Sequence, residues 1–175
     1  MRTWTRRNSL SGVRSLVGSV LGLLRDRSAA APTDELAALT GLRTGHNSPP
    51  EDAALARLLP DFHRADPGRD EEDPADLNGA LRGLHEPEII DEKMAAGSMI
   101  LATLPESGGK IVLTQEQADA WLTGLNDVRL ALGTTLGISA DTPDVLDEGD
   151  PRAPHLDVYH WLTWMQDSLV QVLIP

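Results

Sequence analysis

Four residues near the C-terminal end, Asp157, His160, Trp164 and Asp167, have types and spacing from which chemistry can be built. Steps of three, four and three place them on one stripe of an α-helix. An Asp–His pair at i, i+3 can orient an imidazole for general acid–base work. A small metal-dependent hydrolase using His160 and Asp157 is the enzyme such a pair would serve. The rest of the machinery is not evident: no serine or water-activating metal set accompanies the pair. His155 and His160 are five residues apart, about 140° around a helix, so they share no metal-binding face. In the structural alternative His160 and Trp164 pack, and Asp157 favours the helix N-terminus. Asp167 then pairs with Arg129 across two packed helices. The sequence favours this second reading and assigns no catalytic residue, cofactor or metal.

Other clusters are weaker. His85, Glu86 and Glu88 could begin a metal site, but there is no H-E-x-x-H and no third ligand to complete it. Carboxylates at a helix N-terminus explain both glutamates. The acidic stretch 63–76, H-R-A-D-P-G-R-D-E-E-D-P-A-D, lacks the alternating ligands and central glycine of a calcium loop. It reads as a flexible solvated loop, as does 138–154. Asn126-Asp127-x-Arg129 is an odd polar interruption of a helical pattern, because Asn and Asp cost about 0.5 kcal/mol each against Ala there. It marks either a face kept for a partner or a satisfied polar contact with a neighbouring helix. Gly133 reads as close helix packing. Gly108-Gly109-Lys110 is followed by Ile111 rather than Ser or Thr, so it is no phosphate loop, and no G-x-S-x-G or G-x-G-x-x-G occurs.

Composition narrows the classes further. At 175 residues the chain is read as one domain, 1–175, large enough for a real core. It has no cysteine, so neither a disulfide framework nor a thiol switch is available. A net charge of −12 argues against direct nucleic-acid binding, which needs clustered Lys and Arg. The charge is uneven: residues 1–27 hold six Arg and one Asp, a net of +5, on a body of −17. Thr5-Arg6-Arg7-Asn8-Ser9-Leu10 imitates a twin-arginine export signal, with an apolar run from Leu16 to Leu24 behind it. Arg14 and the amphipathic spacing of Val13, Leu16, Val17, Val20, Leu21 and Leu24 point instead to a first core helix. No apolar run reaches the ~18 residues of a membrane span.

The elements that would position these residues are helical. Seven segments are expected. The strongest, 115–136, carries a stripe of Ala118, Trp121, Leu122, Leu125, Val128, Leu132 and Leu136. Thr114 and Gln117 stand at capping-box spacing, and Gly137 is placed to end the helix. A helix over 155–173 is built on Val158, Leu162, Met165, Leu169 and Val172, widened by Trp161 and Leu173. A third, 86–104, follows a break at His85–Glu88. Short helices precede it: one after Thr33, one starting at Pro49 or Pro50 with Ser48 as cap and Leu55, Leu58, Leu59 and Phe62 buried, and one over 77–84. The expectation is an all-α fold with room for a two-stranded β ribbon, Thr3–Thr5 pairing with Ile111–Leu113. The wide apolar face of the last helix also suits a homodimer.

Four stretches carry a resemblance: Gly41–Phe62, Leu84–Lys93 (L-H-E-P-E-I-I-D-E-K), Ile111–Thr134 and Val158–Val170 (V-Y-H-W-L-T-W-M-Q-D-S-L-V). Together, in this order, they resemble an actinobacterial family long catalogued as a domain of unknown function, which includes the oxidative-stress regulator AosR. The resemblance implies a cytoplasmic, non-enzymatic regulator of transcription in the oxidative-stress response, in contact with a sigma factor or polymerase. Genes of the family tend to lie near the ClpS adaptor, so a link to the Clp protease system is the alternative. Redox sensing by an N-terminal cysteine pair, attributed to the family, is excluded here because the chain has no cysteine. Charge-led docking, through the basic arm or the acidic body, is the expected mode of contact.

Overall fold

Val13, Val17, Val20, Leu21 and Leu24 fall on one side of the first helix, and the core begins on that side. The computed structural model describes residues 6–32, 41, 43–63, 74–106, 110–147 and 149–173. Among them are α1 (Arg6–Ala29), α2 (Ala53–Leu58), α3 (Pro74–Thr103), α4 (Gln115–Leu136) and α5 (Ala153–Leu173). The fold is all-α, with no strand among the described residues. Ile111–Leu113 is an irregular connection, and Thr3–Thr5, its expected ribbon partner, lies outside the described residues. So do the short helix expected after Thr33 and residues 64–73 of the first acidic loop.

Helix α4 is the centre: α1, α2, α3 and α5 all pack on it, and α1 also packs on α3. Leu24, Ile100, Leu125 and Leu162 are each 0% exposed, one from each of α1, α3, α4 and α5, and mark where these helices meet. The ends of α4 follow the sequence. The Thr114 hydroxyl accepts from Gln117 N–H at 3.2 Å, and Thr114 N–H donates to Gln117 Oε1 at 3.0 Å. Gly137 adopts φ 64°, ψ 36°, a left-handed turn that a Cβ would resist. Ile138 N–H then reaches the Gly133 carbonyl at 2.9 Å and Gly137 N–H that of Thr134 at 3.1 Å, closing a Schellman motif.

Two expected helices, 77–84 and 86–104, are one. Helix α3 runs through Pro87 without ending. Proline has no N–H, so the carbonyl four residues back, on Gly83, loses its helical donor. Gly45 N–H donates to that carbonyl at 2.7 Å. A Cβ on residue 45 would stand 2.9 Å from Pro87 Cδ, so only glycine brings a backbone donor this close. A distant loop thus mends the gap that local rules read as a break.

The start of α2 also differs. Asp52, not Ser48, caps it: Asp52 Oδ1 accepts from Leu55 N–H at 2.8 Å. The Ser48 carbonyl is engaged elsewhere, by Arg27 Nη2 at 2.6 Å. Leu55, Leu58 and Leu59 are buried as expected, but Phe62 is 40% exposed, lying beside the His85 ring at 5.9 Å. Arg14, which interrupts the apolar run of α1, donates to the Leu104 carbonyl at 2.9 Å and so serves the C-terminal end of α3.

Candidate functional site

Among the described residues, two polar assemblies and one open helix face hold side chains suited to recognition or chemistry. The first assembly lies between α1 and α3. Glu86 is 1% exposed and is held by two guanidinium groups. Arg27 Nε donates to its Oε1 at 2.8 Å, and Arg82 Nη1 to its Oε2 at 3.0 Å. Arg82, equally buried, also donates to the Leu59 carbonyl at 3.0 Å and to Asp61 Oδ1 at 2.8 Å. Asn78, one turn earlier on the same stripe, accepts from Phe62 and His63 N–H and donates to the His63 carbonyl. A carboxylate so deep would be untenable unpaired, and two cations with full hydrogen bonding make it tenable. The assembly fastens residues 59–63 to α3. A cleft of about 100 Å³ opens beside it, lined by Leu58, Phe62, Arg82, Glu86 and Ile89 among others.

Glu86 therefore does not stand at a helix N-terminus, as its sequence position suggested. It sits mid-helix because α3 passes through Pro87. Among the described residues no group of three or more His, Cys, Asp or Glu is arranged to hold a metal ion. The network had one sequence signal. Asn78, Arg82 and Glu86 lie at steps of four on the stripe that continues to Ile90, which is buried. Carrying the apolar stripe backwards would have marked them as inward-facing.

The second assembly splits the Asn126-Asp127-x-Arg129 sequence between two neighbours. Asp127 points toward α3: it is 3% exposed and takes a hydrogen bond from Lys93 Nζ at 2.7 Å. Its Oδ2 is buried without a partner. Burial raises its pKa above the ordinary carboxylate value, and the Lys93 hydrogen bond and charge oppose that rise. Arg129 points toward α5. It donates to the Tyr159 hydroxyl at 3.2 Å and to Asn126 Oδ1 at 3.4 Å, with its guanidinium 5.7 Å from the Tyr159 ring centre. The expected pairing of Arg129 with Asp167 gives way to Tyr159, which lies directly across the α4–α5 contact. A Cβ at Gly133 would meet the same tyrosine ring at 3.1 Å, in keeping with close helix packing there.

The third feature is the outer face of α5. Asp157 is half-buried, His160 and Asp167 are exposed, and Trp164 is 60% exposed. Trp164 does not pack inward as expected. Trp161, Val158, Met165 and Leu169 rest against the core instead, half-buried. The His160 ring is 6.0 Å from that of Tyr159 in an edge-on contact. Neither the cleft beside Arg82 nor a smaller one between Leu136 and Leu156 includes Asp157 or His160. As placed, the stripe meets solvent and not an enclosed reaction site.

A family model described as a domain of unknown function (DUF2017) matches residues 2–173. Over 168 residues, 93% of this chain and 77% of each relative, the chain is 46% identical to the oxidative stress regulator AosR of Mycobacterium tuberculosis and of Mycobacterium bovis. A Mycobacterium leprae relative that also bears the AosR name is 47% identical over the same span. No solved structure matches the chain significantly.

Proposed function

The chain belongs to the DUF2017 family, and on that premise we propose that it is a non-enzymatic cytoplasmic regulator of the oxidative-stress response acting by protein contact. Its relatives named as oxidative stress regulators support the regulatory part. One observation carries the contact part. Helix α5 has apolar residues on several sides, yet only Leu156 and Leu162 are fully buried, and Trp164 stands out from the surface. A large aromatic side chain flanked by His160 and Asp167 is the composition of an interface anchor with a polar rim. The described helices offer no span long and apolar enough to cross a membrane.

The partner we propose belongs to the transcription machinery, a sigma factor or the polymerase, as the family resemblance implies. Its test is retention of purified polymerase and of free sigma factor on immobilised chain, wild type beside Trp164→Ala. Retention by the wild type that falls at least tenfold in the variant is the expected result. Equal retention by both would remove α5 from the interface, and no retention would remove this partner class. Repeating the measurement at low and high salt separates charge-led docking, which weakens with salt, from apolar docking, which does not.

A further inference from the structure

The relatives are named for oxidative stress, but this chain has no cysteine. Methionine sulfur is then the side-chain atom most open to a two-electron oxidant. Among the described residues the methionines are Met94, Met99 and Met165, all half-buried. Met94 packs on the core from α3, a helix pinned by Arg82, Glu86, Ile90, Ala96 and Ile100. Met99 is on the same helix and is not part of the packed cluster. Met165 alone packs on the core from a helix with only two fully buried residues. It lies one turn from buried Leu162 and beside exposed Trp164.

We propose that Met165 is an oxidation site and that its conversion to the sulfoxide loosens α5 from α4. The oxidant is a hydroperoxide. The thioether sulfur attacks one peroxide oxygen, the O–O bond breaks, and an S–O bond forms. The sulfur gives up two electrons, and the second oxygen takes the proton of the first and leaves as water from hydrogen peroxide, or as the alcohol from an alkyl hydroperoxide. The product replaces an apolar contact at the core edge with a strongly polar S–O group that requires water or a donor. On α3 many other contacts would hold the helix in place. On α5 only Leu156 and Leu162 are fully buried and the other contacts are half-exposed, so the helix responds by opening. The consequence for regulation rests on the reading that α5 is the contact surface, while the chemistry and the opening do not.

The test treats the full chain with hydrogen peroxide, locates added oxygen by peptide mass, and follows amide hydrogen exchange. Met165 is expected to gain oxygen, and α5 amides then exchange about tenfold faster while the α4 core stays protected. Met165→Leu keeps wild-type α5 protection through the same treatment, and methionine sulfoxide reductase restores it in the wild type. Oxygen added at Met94 or Met99 with Met165 intact would overturn the proposal. So would oxidised Met165 with unchanged α5 exchange, or loosening that persists in Met165→Leu. Because no partner enters this experiment, failure to find one would sink the contact reading alone.

Discussion

Helices α4 and α5 are nearly equal in length, 22 and 21 residues, and each was legible as an amphipathic stripe. Their fates differ. Helix α4 buries Trp121, Leu125, Asp127, Val128, Leu132 and more, while α5 fully buries only Leu156 and Leu162. Neighbours account for the difference: four helices surround α4, whereas α5 leans chiefly on α4. The same apolar composition therefore becomes core in one place and available surface in the other. Stability should reside around α4, and recognition on α5.

The largest expected effect tests whether the charge buried between α1 and α3 is structural. Glu86→Ala leaves Arg27 and Arg82 buried without their shared carboxylate, and should cost about 3–5 kcal/mol in urea unfolding. Next, Leu125→Ala opens a cavity at the meeting point of the helices and should cost about 3 kcal/mol in the same assay. Loss of the α4 cap by Thr114→Ala should cost about 1 kcal/mol.

A smaller effect concerns pH. The Asp127 pKa is raised on folding by burial, so the folded chain holds this proton to higher pH than the unfolded chain. Its contribution to stability falls as pH rises from the ordinary carboxylate value through the raised one, and is lowest above it. Asp127→Asn should abolish that fall, seen as a flatter plot of Tm against pH in the acidic range. The smallest stability change belongs to the periphery: Trp164→Ala should shift unfolding by no more than about 0.5 kcal/mol. A loss near that of Leu125→Ala would erase the contrast between the two helices.

Much of this was readable from residue order. The stripe of α1, the cap and C-terminal glycine of α4, and the span of α5 follow from local rules, since period, cap chemistry and left-handed φ are properties of neighbouring residues. The misreadings share a cause. Pro87 looked like a helix break because its repair comes from Gly45, far away in the chain. Ser48 looked like a cap because the claim of Arg27 on its carbonyl is likewise non-local. Arg129 pairs with Tyr159 and not with Asp167 because the hydroxyl, which only helix packing brings there, stands across the α4–α5 contact.

By itself the sequence determined that the chain is helical, acidic and without thiol chemistry, because composition and periodicity are written residue by residue. Only the tertiary structure decided which polar residues turn inward. Glu86 and Asp127 are buried because Arg27, Arg82 and Lys93 arrive from other turns and helices to meet them. A buried charge is tolerable only where its counterion and donors converge, and that convergence exists only after the helices have packed.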